Sequence, residues 1–399
     1  MNMLKTYLKT KLATWSRERL LSGLLAQYSF FLEWPPPTHQ TRARDIVGPR
    51  LNIAFIIPGL TRFSGGHTSI LRIGTFLAEL GHTISYITYD NSRKDAMERN
   101  AQANLPYYRG TILAKDALAA LQFDVGIATF WPSAYVLHSS PRFSYKAYYI
   151  QDYEPLFYRF GDEYLWAKQS YELGLHNISL GIWNKQNITQ RDGSIAVDCI
   201  DFPYEPREYP LRERTISIRD DETVKIAVYL KMDSKRAYLN VLLGLINLEN
   251  RIGRKVEINV FGMDRGTRLP AGKNIGLLNH AELTRLYQES HFGVVASATN
   301  ISFVTLEMIA SGLPVIEFHH GSFPAFFGNQ KGFLFGRSAD DLFQQIQYCC
   351  THQSELNRTL REFQQIMKDW TWEHASHQLE QLLREGIARN ASRSHSVNS

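Results

Sequence analysis

The sequence predicts an α/β protein of two successive domains, each built on a parallel sheet. Short apolar runs alternate with helical patterns along most of the chain, as such sheets require. A proline-broken, charged stretch over 201–222 interrupts this alternation once, and 399 residues suffice for two ordinary domains. The expected division is an N-terminal segment and linker at 1–48, a first domain at 49–205, a second domain at 206–370, and a helix with a disordered tail at 371–399.

Each predicted strand is a short apolar run that ends at a turn signal or a polar loop. In the first domain we predict strands at 51–57, 83–89, 125–130, 146–151, 178–182 and 195–199, with a helix at 68–80. In the second domain we predict strands at 224–230, 256–262, 292–296 and 315–318, with helices at 237–250 and 281–290.

The composition excludes several classes of protein. Three cysteines, two of them adjacent, give neither a disulfide framework nor a zinc-site spacing, and they predict a reducing, cytoplasmic compartment. The net charge of +5 suits an anionic ligand or an anionic membrane surface and does not call for nucleic acid. No apolar run approaches the roughly 18 residues of a spanning helix. No Asp-x-Asp motif occurs, so we expect no metal and no cofactor.

The first 34 residues have a basic amphipathic pattern. One helical face carries Leu4, Tyr7, Leu8, Leu12 and Trp15, while Lys5, Lys9, Arg17 and Arg19 lie largely elsewhere. Basic residues recur throughout, so the segment lacks the apolar centre of a signal peptide. It is expected either to lie on the anionic inner face of the plasma membrane or to dock on its own domain.

The stretch from Ser297 to Phe318 predicts a ligand site. It follows a strand and contains a loop, a helix that carries Glu307, a Gly312-Leu313-Pro314 stop, and a second strand. Ligands of open α/β sheets bind at the carboxyl ends of the strands, where a helix N-terminus attracts phosphate. A carboxylate there suits the hydroxyls of a ribose. The alternative is an ordinary structural unit with a solvated Glu307.

The loop after the first strand is the second candidate site. Gly65 and Gly66 precede a helix, so backbone can pass close to a ligand and free N–H groups face an anion. Asp90 follows the second strand, where a dinucleotide site would place its ribose-binding acid. The loop contains no G-x-G-x-x-G, however, which argues against a dinucleotide.

Three cations follow the first strand of the second domain. Lys231, Lys235 and Arg236 stand where a diphosphate would be held. The alternative for such a charge run is a solvated turn.

With these motifs the chain resembles the GT-B glycosyltransferases, and within them the retaining group called family 4. The resemblance covers roughly 51–375 and is carried by the segments 74–90, 274–295 and 302–316. The segments 148–181 and 229–245 resemble more closely the WsaF-type rhamnosyltransferases of cell-surface glycan synthesis. The resemblance implies a GT-B fold of two tandem Rossmann-like domains, an acceptor domain followed by a nucleotide-sugar domain, with a cleft between them.

The resemblance also implies residue roles at a donor site. Gly65 and Gly66 would cover the transferred sugar and, with Asp152, form the catalytic set. The donor-binding set would be Lys231, Lys235 and Arg236 at the diphosphate, Asn279 and His280 at the base, Ser302 and Thr305 in the nucleotide-sugar motif, and Glu307 at the ribose.

One position departs from the family pattern. The motif has two glutamates eight positions apart, and Thr299 stands in place of the first. Because that glutamate lies near the donor sugar in the family, ordinary hexose donors become doubtful and a deoxysugar on a dTDP carrier is favoured.

A third group of polar side chains follows another strand end of the first domain. Aromatic rings beside carboxylates are a common surface for sugars. The expected acceptor-binding residues are Tyr153, Glu154, Tyr158 and His67; the alternative is a structural loop.

The resulting hypothesis is a retaining glycosyltransferase that moves a sugar onto a cell-surface glycan or lipid-linked glycan. In its most specific version the sugar is rhamnose and the donor carries dTDP. Same-face attack by the acceptor hydroxyl is implied by the family alone. Two alternatives stay open: a sugar-nucleotide epimerase, and a non-catalytic glycan-binding protein on the same fold.

Overall fold

The computed structural model describes residues 18–34, 46, 48–329, 333–336 and 338–397. The apolar face predicted within 1–17 lies outside these described residues.

Seven parallel strands form the sheet of the first domain, in the order β3-β2-β1-β4-β5-β6-β7. The strands are β1 (Asn52–Ile57), β2 (Thr83–Thr88), β3 (Thr111–Leu113), β4 (Phe123–Ala128), β5 (Phe143–Ile150), β6 (His176–Leu180) and β7 (Val197–Ile200). The helices of this part are α1 (18–27), α2 (Phe30–Glu33), α3 (Gly65–Glu79), α4 (Lys94–Asn104), α5 (Ala117–Ala120), α6 (Trp131–Ser139), α7 (Asp162–Gln169) and α8 (Ile182–Arg191).

Six parallel strands form the second sheet, in the order β10-β9-β8-β11-β12-β13. The strands are β8 (Val224–Tyr229), β9 (Val256–Phe261), β10 (Lys273–Gly276), β11 (Phe292–Val294), β12 (Val315–Phe318) and β13 (Leu334–Phe335). The helices are α9 (Tyr238–Arg251), α10 (His280–Glu289), α11 (Phe303–Ala310), α12 (Phe323–Phe327), α13 (Asp341–Thr351), α14 (Gln353–Met367) and α15 (Trp372–Val397).

Strand β1 shows why these apolar runs form central strands. Its residues alternate between two separate cores: Ile53 and Phe55 pack on one face of the sheet, and Ala54 and Ile56 pack on the other. All four are fully buried. A parallel strand covered by helices on both faces needs such a continuous apolar run.

Both sheets have the same strand order, and this decides where a ligand can enter. In each sheet the chain starts at a central strand, builds outward, and returns to the other side of that strand. The reversal lies between β1 and β4 in the first sheet and between β8 and β11 in the second. A crevice opens at such a reversal beyond the carboxyl ends of the strands.

The chain crosses between the domains at two adjacent places. The linker residue Tyr204 pairs with Thr371, and its N–H donates to the carbonyl oxygen of Trp370 at 2.8 Å. Beyond this point α15 packs back onto the first domain, where the Gln378 side chain accepts from the Asp201 N–H at 2.9 Å. The chain returns to the first domain through α15, and the domain boundary expected in 201–222 stays a prediction.

The N-terminal segment divides into a docked part and an exposed part. Phe30 is 4% exposed, and the ring of Phe31 lies 4.9 Å from that of Trp166 on α7. Helix α1 instead exposes four leucines: Leu20, Leu21, Leu24 and Leu25. Docking on the domain therefore applies from Tyr28 onward and not to α1.

Most predicted strands and helices are present within a few residues of their expected bounds, and the short edge strands β3, β10 and β13 were missed. The expected disordered tail is corrected in part, since α15 continues past Arg389 to Val397. In the part of the chain that the structure describes, no helix is both long enough and apolar enough to cross a membrane.

Candidate functional site

A cleft of about 680 Å³ lies where the carboxyl ends of the two sheets face each other. The first domain lines it with the loop after β1, the start of α3 and residues after β5. The second domain lines it with the loop after β8 and the start of α11. The loops predicted to bind ligand from each domain are thus brought together.

Gly65 and Gly66 begin α3 at the wall of this cleft. Neither has a positive φ, so the backbone itself does not require glycine here. A Cβ on Gly65 would lie 3.7 Å from the Phe303 ring, and one on Gly66 would lie 3.6 Å from Oε1 of Gln151. The two glycines place no side chain over the start of the helix, where the Ser64 hydroxyl accepts from the N–H of His67 at 3.5 Å.

His67 lines the cleft as a neutral ring. Its Nδ1 accepts a hydrogen bond from the N–H of Thr61 at 3.0 Å, so Nε2 carries the proton. Burial lowers the pKa of His67 below its ordinary value. The ring can donate one hydrogen bond from Nε2, for which a sugar hydroxyl is a suitable acceptor.

The cations after β8 enter the cleft from the second domain. Nζ of Lys235 lies 4.0 Å from the centre of the Phe157 ring and 3.8 Å from the Asp233 carboxylate. The guanidinium of Arg236 lies 5.8 Å from the centre of the Tyr229 ring. Its Nη1 is buried and has no hydrogen-bond partner among the described residues. An unsatisfied buried donor on a cation is what an anionic ligand would complete.

The backbone turn after these cations is strained. Ala237 has a φ of 40°, in the left-handed region that side-chain-bearing residues rarely adopt. The turn ends the 3₁₀ segment Ser234–Arg236 and begins α9 directly afterwards. Strain of this kind persists where the surrounding structure fixes a site.

The first residues of α11 reach the cleft on the same domain as these cations. Ser302, Phe303 and Val304 line the cleft. The loop before the helix is held by Glu317, whose buried carboxylate accepts from the N–H of Ser297 at 2.9 Å and from its hydroxyl at 2.7 Å. The loop shape depends on this carboxylate, which sequence reasoning missed.

Thr305 does not face the donor site. It is fully buried, and its hydroxyl donates to the Glu317 carboxylate at 2.5 Å. The structure corrects its assignment from donor binding to support of the loop. Ser302 keeps its place at the cleft, with its N–H donating to the Ser297 hydroxyl at 3.0 Å.

Glu307, on α11, also lines the cleft. Burial of its carboxyl raises its pKa to about 7, against the opposing effect of Arg72. The hydroxyls of Tyr209 and Tyr287 lie near this carboxyl. Such a group accepts hydrogen bonds when ionised and donates one when protonated, so it suits a diol in either state.

An ion-pair cluster that the sequence did not predict lies beside Glu307. Arg72 of α3 is 9% exposed and pairs with Glu205 at 3.2 Å and with Glu208 at 2.6 Å. All three residues line the cleft. No short sequence motif signals the cluster, because the linker brings its glutamates to α3 only in the folded chain.

Asp152 and Thr299 meet across the domain boundary. The Thr299 hydroxyl donates to Oδ2 of Asp152 at 2.8 Å, and the N–H of Asn300 donates to Oδ1 at 3.0 Å. The Tyr153 N–H donates to the same Oδ1 at 2.9 Å. Both carboxylate oxygens thus accept hydrogen bonds, two of which tie the domains together, and Asp152 also lines the cleft. A catalytic role of Asp152 stays a prediction.

Glu154 forms a buried part of the cleft wall. Its Oε2 accepts from the N–H of Trp131 at 2.6 Å and from the Tyr148 hydroxyl at 2.9 Å. Burial raises the pKa of Glu154 to about 8. The group is therefore mostly protonated at neutral pH.

Tyr153 and Tyr158 do not reach the cleft, and the structure corrects their acceptor-binding assignment. Tyr153 is 1% exposed and stacks on Tyr171 with ring centres 5.9 Å apart. The Tyr158 hydroxyl accepts from Nε1 of Trp131 at 2.9 Å. Both belong to the packing of the first domain.

Asn279 and His280 also lie outside the cleft lining. The Asn279 side chain caps α10 by accepting from the N–H of Glu282 at 3.0 Å. The His280 ring lies 4.8 Å from that of Tyr209. A contact between their backbone and a base stays a prediction; from the same helix, Leu283 does line the cleft.

The fold matches solved structures of GT-B glycosyltransferases. A glycosyltransferase from Rickettsia africae ESF-5 aligns with a TM-score of 0.63, 12% identity, and coverage of 85% of this chain and 99% of that chain. Alr3699/HepE from Anabaena, solved with UDP and glucose, also gives 0.63 at 12% identity, covering 84% of this chain and 99% of its own. The chain has the GT-B fold.

Sequence comparisons reach a shorter part of the chain. Residues 247–381, within the second GT-B domain and its crossover helix, match the family described as glycosyl transferase-like. The O-antigen biosynthesis protein RfbC of Myxococcus xanthus is 25% identical over 283 residues, which cover 66% of this chain. The match spans 21% of the length of RfbC, about one fifth of that protein.

Groups of three or more histidine, cysteine, aspartate or glutamate side chains arranged to hold a metal ion are absent from the described residues.

Arg236→Ala and Lys235→Ala are each expected to weaken binding of UDP or dTDP by about tenfold or more, since a charge-assisted contact contributes about 1.5–3 kcal/mol. Isothermal titration calorimetry measures the affinity. Arg358→Ala is the matched control, because Arg358 is exposed on α14. Unchanged affinity in both cleft variants would contradict the assigned diphosphate site.

Glu154→Gln is expected to become stabilising as the pH rises. The folded-state pKa of about 8 exceeds the ordinary 4.5, so the wild type loses stability between these two pH values and the variant does not. The difference in unfolding free energy should grow by up to about 1.4 kcal/mol per pH unit. Denaturant unfolding at pH 5, 6.5 and 8 measures this difference, with Glu362→Gln as the exposed control. A difference in unfolding free energy that does not change with pH would contradict the raised pKa of Glu154.

Proposed function

We propose that this chain is a glycosyltransferase that uses a nucleoside diphosphate sugar as donor. One observation carries the proposal: the cations after β8, including the unsatisfied guanidinium nitrogen of Arg236, share one cleft with the N-terminal residues of α3 and α11. Helix N-termini and paired cations together suit a diphosphate. This positive charge would also stabilise the diphosphate as a leaving group.

The surroundings of Glu307 support the proposal that a nucleoside lies at one end of the diphosphate. Its carboxyl lines the cleft with Tyr209 and the Arg72 ion pairs, a polar environment for ribose hydroxyls. Alr3699/HepE has been solved in complex with UDP-glucose on the same fold, and this supports a donor of the same chemical class here. The nucleobase is open in this proposal, with dTDP favoured.

Thr299 and Asp152 bear on the sugar that is transferred. Thr299 occupies the position where the resembled family has its first glutamate, and its hydroxyl is directed to Asp152. A free carboxylate for an extra sugar hydroxyl is therefore not offered at that position, which supports a deoxysugar such as rhamnose as donor. Because Asp152 is fully hydrogen-bonded, we propose a retaining reaction in which the acceptor hydroxyl attacks from the face of the departing diphosphate.

The acceptor in this proposal is a cell-surface glycan, free or lipid-linked. Its support is the match to a protein of O-antigen biosynthesis. His67 and Glu154 on the first-domain wall are available to its hydroxyls.

We further propose that α1 rests on the inner, anionic face of the cytoplasmic membrane, where a lipid-linked acceptor would be found. Four exposed leucines on α1 support this, together with the basic residues that precede them in the sequence. Apolar burial and attraction to anionic lipid combine in such helices, and the binding is reversible and sensitive to salt.

The decisive test of the function is a donor assay. A thermal-shift panel of nucleoside diphosphates identifies the base, and radiolabelled donors with that base are then incubated with extracted membrane glycolipid. Transfer of label to lipid supports a glycosyltransferase. Conversion of the donor sugar without acceptor would identify an epimerase, and binding of glycan without any turnover a non-catalytic protein.

Glu307→Gln is expected to lower the affinity for UMP or dTMP as well as for the diphosphates, by roughly fivefold, because it acts at the ribose. With a pKa of about 7, the wild-type carboxyl is mostly ionised at pH 8 and mostly neutral at pH 6. The loss caused by the variant should therefore be larger at pH 8. An effect on diphosphates alone, with monophosphate titrations unchanged, would contradict the ribose assignment.

Deletion of residues 1–27 is expected to abolish co-sedimentation with phosphatidylglycerol vesicles and to leave nucleotide affinity unchanged. The deletion keeps Tyr28 and Phe30, which pack on the first domain. Wild-type binding should fall as salt rises from 0.05 to about 0.5 M, since the Debye length shortens. Vesicle binding that survives the deletion would place the membrane contact elsewhere.

A further inference from the structure

Phe63 is an exposed aromatic residue at the rim of the cleft. Its side chain is 72% exposed, although it lines the same cleft as Gly65, Gly66 and the cations of the second domain. Its φ is 55°, a left-handed conformation that is unusual for a bulky residue. A large apolar ring thus faces solvent from an unfavourable backbone conformation. This indicates that Phe63 has a role other than stabilising the folded protein.

The loop that carries Phe63 is fixed by side chains of α4. Nδ2 of Asn100 donates to the Leu60 carbonyl oxygen at 2.6 Å, and Nδ2 of Asn104 donates to the Thr61 carbonyl oxygen at 2.7 Å. Oδ1 of Asn104 accepts from the N–H of Ser64 at 3.0 Å. Bonds on both sides of Phe63 therefore hold its backbone at the rim of the cleft.

An exposed ring fixed at a cleft of this chemistry suits the apolar C–H face of a sugar. The two tyrosines that the sequence pointed to, Tyr153 and Tyr158, are engaged inside the first domain. Phe63 is the aromatic side chain of the first-domain wall that remains largely open to solvent.

We propose that Phe63 is a binding platform on which the sugar ring of the acceptor packs. The inference rests on the proposed function and names a subsite of the same cleft. The acceptor is favoured over the donor because the cations proposed to hold the diphosphate, Lys235 and Arg236, belong to the second domain, and the start of α3 is the first-domain part of that proposed site. Phe63 belongs to the first domain, on the other side of the cleft.

The strain at Phe63 permits a test that separates binding from folding. Phe63→Gly removes the ring and relieves the positive φ, so the thermal midpoint should not fall. Phe63→Tyr keeps a ring. The matched control is Phe160→Gly, because Phe160 is 82% exposed and lies outside the cleft lining.

The probes are methyl glycosides of glucose, galactose, mannose, N-acetylglucosamine and rhamnose, added to the full chain with saturating UDP or dTDP. Saturation-transfer NMR reports which sugar protons touch the protein. With wild type and Phe63→Tyr we expect transfer to protons on one C–H face of at least one glycoside. With Phe63→Gly this transfer should fall by about fivefold or more, and with Phe160→Gly it should stay at the wild-type level.

The outcomes distinguish this inference from the proposed function. Nucleotide affinity is measured first for each variant, and failure of the wild type to bind any nucleoside diphosphate would overturn the proposed function. If nucleotide binds but Phe63→Gly leaves the sugar contacts unchanged, or if the wild type contacts none of the glycosides, the platform is overturned alone. A loss of nucleotide affinity in Phe63→Gly would assign the ring to the donor and also overturn it.

Discussion

Asn300 joins the two domains at the floor of the cleft, and the geometry of the site depends on this junction. Its side-chain amide donates to the carbonyl oxygens of Gln151 and Leu180, each at 2.8 Å, at the ends of two first-domain strands. Its N–H donates to Asp152. Because the loop that contains Asn300 leads directly into α11, these bonds fix where the N-terminus of that helix points relative to the first domain. Together with the bond from Thr299 to Asp152, these contacts hold the second-domain loop against the first domain.

Buried carboxyl groups surround this junction, and each is supported differently. Glu317 accepts several hydrogen bonds and shapes the loop from inside the second domain. Glu154 has fewer donors, and its burial favours the protonated form. Glu307 lies between these cases, near two tyrosine hydroxyls and Arg72, with a pKa close to neutrality. Burial of charge is costly unless it is compensated, and burial raises the pKa of all three groups, including that of Glu317, against the effect of their hydrogen-bond donors.

The two arginines that line the cleft differ in their partners. Arg72 is satisfied by two glutamates, whereas Arg236 keeps a buried nitrogen without a partner among the described residues. The first arginine connects α3 to the linker. The second keeps a free donor, for which we propose an anionic ligand. Two arginines on one cleft thus have different roles because of their partners, and residue type alone does not distinguish them.

The sequence by itself determined the two parallel-sheet domains and the loops that face each other, because apolar periodicity and turn residues are local signals. It also pointed to Gly65, Gly66, Arg236 and Glu307, which all line the cleft. Only the tertiary structure decided which neighbouring side chains turn inward, such as Tyr153 and Thr305, and which distant ones meet, such as Thr299 with Asp152. The physical reason is that side-chain direction in irregular loops depends on hydrogen bonds to remote parts of the chain, which no local pattern records.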